Sequence, residues 1–146
     1  VVLGTTQATF QVVVNGWAAE VWLDYQAQDS KRQDRRDWSP YDFIGGLSLR
    51  SILFTAENRM REVGALVGVV PQIEVADQLF RTITQQDVNR MIPKIWTWSE
   101  RGEPSNEEWW WKRIPSSGPI LEEFTQITNG QATTGNSFIA GQMGAQ

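Results

Sequence analysis

The fold turns on residues 8–25, ATFQVVVNGWAAEVWLDY. Asn15-Gly16 lies between two apolar segments, and that dipeptide is the strongest short-range signal for a two-residue type I′ turn. Such a turn pairs Val14 with Trp17, Val12 with Ala19, Phe10 with Val21 and Ala8 with Leu23, all apolar and all on one face. The other face receives Val13 with Ala18, Gln11 with Glu20, Thr9 with Trp22 and Gln7 with Asp24, a mixed polar set. A slip of one residue destroys this separation, so the register is tested internally. The segment therefore reads as an N-terminal antiparallel β-hairpin.

Working outward, residues 27–38 form a charged linker. Its basic run, Lys31-Arg32-Gln33-Asp34-Arg35-Arg36, is diluted by Asp29, Asp34 and Asp37 and reads as a solvated loop rather than a phosphate patch. Ser39-Pro40-Tyr41-Asp42 has the pattern of a helix start, with Ser as cap, Pro at the first position and Asp at the third. Gly45-Gly46 limits that helix to about one turn, since each interior Gly costs roughly 1 kcal/mol against Ala. LSLRSILF alternates as a strand would, yet could equally begin a long helix that runs on past Phe54. Across residues 55–68, Ala56, Met60, Val63 and Val67 share a helical face, with Thr55 as cap and Gly68 and Pro71 as stops. QIEVADQLFRTI reads as a weak strand or short helix. Thr84-Gln85-Gln86-Asp87 resembles a second capping box, opening a helix through Met91-Ile92 that Pro93 ends.

The aromatic region comes next. KIWTW places Trp96 and Trp98 on one strand face, and after a turn-rich loop comes EEWWWKRIP, with Trp109, Trp110 and Trp111 consecutive. Paired as strands, the two segments bring Trp109 and Trp111 opposite Trp96 and Trp98 and leave Trp110 and Lys112 on the other face. A shift of one residue instead pairs Trp98 with Trp110 and Trp96 with Lys112. The rival reading is a short helix capped by Ser105 and Glu108. From Phe124 to the end no residue is charged, which suits an extended or disordered arm. The expected architecture is α+β: the N-terminal hairpin, central helices and a C-terminal Trp-rich β region in one domain over residues 1–123, then a tail over 124–146.

Composition narrows function by exclusion. The chain of 146 residues has no His and no Cys, which removes thiolate and imidazole metal sites, a Cys nucleophile and the Ser-His-Asp arrangement. No loop has the spacing of a calcium site, and no cofactor motif occurs. A net charge of −4 argues against a nucleic-acid binder, whose affinity comes largely from neutralising phosphates. No apolar run is long enough to span a bilayer. The adjacent carboxylates Glu107-Glu108 and Glu122-Glu123 are weak candidates for glycoside hydrolysis.

The reading that remains is a non-enzymatic structural or interaction subunit, binding copies of itself and other subunits in an assembly such as a virion or phage particle. A carbohydrate-binding module using tryptophan stacking is the runner-up, and a small carboxylate-dependent hydrolase comes third. Trp110, Lys112, Arg113, Trp22, Phe138 and Ile139 are the interface candidates: exposed aromatics beside cations are common at hot spots, and the uncharged tail could reach across a neighbour. The sequence assigns no compartment, with virion or cytoplasm favoured over secretion.

Overall fold

The computed structural model describes residues 2–28, 39–64, 70–98 and 102–137. Its elements are α1 (Val2–Ala27), α2 (Pro40–Glu62), α3 (Val70–Ile83), β1 (Thr84–Gln86), α4 (Met91–Ile95), a 3-10 helix (Trp109–Lys112), β2 (Arg113–Pro115) and α5 (Pro119–Ser137). The protein is mostly helical, and the N-terminal hairpin of the α+β expectation is instead one helix about 39 Å long. The only sheet among the described residues is a two-stranded antiparallel ladder in which Thr84 faces Pro115 and Gln86 faces Arg113.

The hairpin reading failed because its register test cannot distinguish the two structures. Partners across a two-residue turn are 3, 7, 11 and 15 residues apart here, and each interval also brings residues within about 60° on a helix. What differs is how the pairs group. A hairpin puts all four pairs on one face, whereas a helix sends Val14–Trp17 and Phe10–Val21 to one side and Val12–Ala19 to the opposite side. The structure shows the helical grouping: Phe10, Val14, Trp17 and Val21 are buried, while Val12 and Ala19 are exposed. β-branched Val12-Val13-Val14 and Gly16 have poor helix propensity, and the tertiary burial of Trp17 outweighs it.

Gly16 has a use in this arrangement, since a Cβ there would stand 3.4 Å from Leu49 Cδ2 of α2. Gly46 faces back across the same crossing, where a Cβ would lie 3.0 Å from Glu20 Oε2. The Gly45-Gly46 pair expected to break a helix therefore lies inside α2, where Gly46 lets α1 approach. The helix start expected at Ser39-Pro40-Tyr41-Asp42 is present as a reciprocal capping box. Thr55 is interior to α2 and donates to the Ser51 carbonyl, and Gly64, at φ +67°, comes just after the helix end. QIEVADQLFRTI belongs to α3, whose buried Ile73, Ala76, Asp77, Phe80 and Ile83 have helical spacing. Met91 and Ile92 are helical as expected, but Asp87 alone caps them, accepting from both backbone amides.

The core sits where α1 crosses α2 and α3, and α5 closes it at one end through Phe124 against Phe43, with ring centroids 5.9 Å apart. α5 also corrects the tail: residues 124–137 are helix rather than an extended arm, with Phe124 and Thr128 buried. Phe138 and Ile139 lie outside the described residues.

Candidate functional site

The Trp109-Trp110-Trp111 run is the centre of the molecule's aromatic chemistry, and its geometry is neither strand nor α-helix. A 3-10 turn has three residues per turn, so consecutive side chains leave the axis about 120° apart. Trp109 and Trp110 still meet edge to face, with centroids 5.6 Å apart, but each of the three indoles has a further aromatic neighbour of its own. Trp109 contacts Phe80 and lies beneath the Arg81 guanidinium, whose Cζ is 3.9 Å from the ring centroid. Trp110 is only 1% exposed, packed edge-on against Phe54 with Arg50 Cζ 4.4 Å above its ring. Trp111 turns the other way and meets Trp98, with centroids 5.8 Å apart and planes at 72°.

The strand pairing of KIWTW with EEWWWKRI is therefore overturned, because residues 96–98 have no regular structure and residues 109–112 are 3-10 helix. Trp110, expected to project outward, is core. Arg113 is half-buried and holds the end of α3: it donates to the Thr84 hydroxyl at 2.7 Å and to the carbonyls of Thr84 and Arg81. Burial, followed by the neighbouring Arg81 charge, lowers its pKa from the ordinary value. Lys112 is exposed, and its carbonyl accepts the Asp87 amide at 2.8 Å. Trp22 also stands at the surface, 51% exposed, with Tyr25 5.3 Å from it on the next turn of α1.

One hydroxyl organises the run. Ser51 Oγ accepts from Trp110 Nε1 at 3.1 Å and from Trp111 Nε1 at 2.8 Å, and donates to Glu108 Oε1 at 2.7 Å. Glu108 Oε2 in turn accepts from the Ser105 amide and hydroxyl. Both oxygens of the best carboxylate candidate are thus engaged in closing the turn that leads into the tryptophans. This is the capping arrangement read from Ser105 and Glu108, with a 3-10 helix after it.

Two surfaces result. The first is a cleft of about 230 Å³ between α2 and the aromatic segment, lined by Ser48, Ser51, Ile52, Trp96, Trp98 and Trp111 together with Glu103, Pro104 and Glu108. The second is the outer face of α1, where Val12, Asn15, Ala18, Ala19, Trp22 and Tyr25 are all exposed. The sequence signal for this face was the presence in α1 of Val12, Trp22 and Tyr25 in addition to the apolar residues that it buries, more than a helix packed on one side can cover. Among the described residues no group of acidic side chains is arranged to hold a metal ion, and no helix is long and apolar enough to cross a membrane. Comparison with protein-family models, with curated proteins and with solved structures found no match.

Proposed function

We propose that the chain is a non-enzymatic interaction subunit that assembles through the outer face of α1, with a second copy of itself as the first partner. The observation that carries this is the internal symmetry of that face. Run antiparallel about the midpoint of Ala18 and Ala19, two copies of α1 bring Val12 opposite Tyr25, Asn15 opposite Trp22, and Ala18 opposite Ala19. Every exposed position on the face maps onto another, bulky against smaller, with the two alanines where the backbones cross. A two-fold interface needs this self-complementarity. The face has no charged residue among these six positions, and Trp and Tyr are the side chains most enriched at interface hot spots. A virion or phage-particle subunit is the concrete form of this reading, because such particles are built from copies that cover one another's apolar faces.

The chain has no Cys, so a single introduced thiol reports cleanly on this pairing. Light scattering should give a dimer or larger species, and Ala18→Cys should form an intermolecular disulfide while a control thiol at exposed Glu74 should not. Trp22→Glu with Tyr25→Glu should yield a folded monomer. A wild-type chain that stays monomeric at high concentration, with no preference for the Ala18 crosslink, would remove this reading.

A further inference from the structure

We propose that the cleft beside the tryptophan run binds a small organic ammonium ion of the quaternary or alkylammonium class. The inference comes from what the cleft's groups have left to offer a ligand. Trp98 and Trp111 meet edge to face at 72°, so they form a corner and not the flat platform on which a sugar ring stacks. Neither N–H is presented to a ligand: Trp111 Nε1 is bound to Ser51 Oγ, and Trp98 Nε1 is buried, with no acceptor among the described residues. Trp96, Trp98 and Trp111 all line the cleft.

The charged lining is acidic. Glu103 and Glu108 line the cleft together with the tryptophans, and no lysine or arginine occurs among the described lining residues. Glu108 Oε1 accepts one hydrogen bond, from Ser51, and retains a second acceptor position. Ring faces and carboxylate oxygens together attract a cation, through the ring quadrupole and through Coulomb attraction. The cleft is open to one side, and its volume of about 230 Å³ suits a compact head group rather than a chain of residues. This site is independent of the outer face of α1 and stands or falls separately from self-association.

The test is a titration of tryptophan fluorescence and heat with choline against its neutral isostere, 3,3-dimethylbutan-1-ol. Choline should bind saturably and at least about tenfold more tightly than the alcohol, a ratio worth roughly 1.4 kcal/mol. Glu103 is exposed, so Glu103→Gln should leave folding intact, weaken choline several-fold and leave the alcohol unchanged. Equal binding of choline and the alcohol would overturn the proposal, as would the absence of any saturable response to choline. Binding of a trimethyllysine peptide without binding of free choline would also overturn it, and so would a response to oligosaccharides alone.

Discussion

At the scale of the residue, the structure concentrates its electrostatic tension at Glu20. Its carboxylate is pressed against Gly46, and Oε2 is buried without a hydrogen-bond partner among the described residues. Burial first, and the Asp42 charge second, raise its pKa above 4.5, and the same two causes raise Glu123. The folded state therefore holds these protons more tightly than the unfolded chain does. Such a group adds no penalty below its unfolded value, and its penalty grows as pH rises through the folded value. Glu20→Gln should accordingly raise the thermal midpoint at pH 7, with the gain shrinking as pH falls toward about 4.5. Melting curves from pH 4 to pH 8 check this, and a gain independent of pH would show that charge is not the cause. None of this was legible in the sequence, because the hairpin reading paired Glu20 with Gln11 and gave it no contact with Gly46 or Asp42.

At the scale of the element, what could be read depended on whether the signal was local. The Ser39–Asp42 capping box was legible because its hydrogen bonds close within one turn. The Ser105 and Glu108 cap was legible for the same reason. α1 was not, since intervals of 3, 7 and 11 residues serve both periods and only the neighbours chosen by α2 and α3 decide between them. The tryptophan run was half legible: the three indoles must diverge, but their destinations depend on Phe80, Phe54 and Trp98, distant in sequence. Gly118 was missed entirely. It has φ +94°, and a Cβ there would lie 2.8 Å from Gln28 Cα, where the end of α1 touches the start of α5. Gly64 also has positive φ, at +67°, but a Cβ there would meet nothing within 4 Å among the described residues. Gly64→Ala should cost about 1 kcal/mol from backbone conformation alone. Gly118→Ala should add roughly 1–3 kcal/mol of overpacking to that, because backbone cannot swing aside as a side chain can. Chemical denaturation of the two variants separates the terms, and equal costs would mean that the α1–α5 contact yields freely.

At the scale of the whole molecule, one buried polar hub joins four of the elements. Asp77 of α3 accepts from Trp17 Nε1 of α1 at 2.9 Å and takes a two-point contact from Arg50 of α2, Nε and Nη2 each at 2.9 Å. Arg50 Nη1 reaches Glu57 at 2.9 Å, and its guanidinium covers Trp110 of the 3-10 helix. Arg50 and Asp77 are 4% and 7% exposed, so neither can recover solvation if its partner is lost. Removing one partner from such a pair typically costs about 3–5 kcal/mol, whereas replacing both with apolar groups of similar volume is often close to neutral. Asp77→Ala and Arg50→Met should therefore each destabilise strongly, and Arg50→Met with Asp77→Leu should be more stable than either. The double variant still leaves Trp17 Nε1 without an acceptor, a residual cost of about 1–3 kcal/mol. Because the hub touches α1, α2, α3 and the aromatic segment together, each loss should move the urea midpoint of the entire transition without changing its slope. Additive single costs below about 1 kcal/mol would instead make the hub a bystander, with the helices held by apolar packing alone.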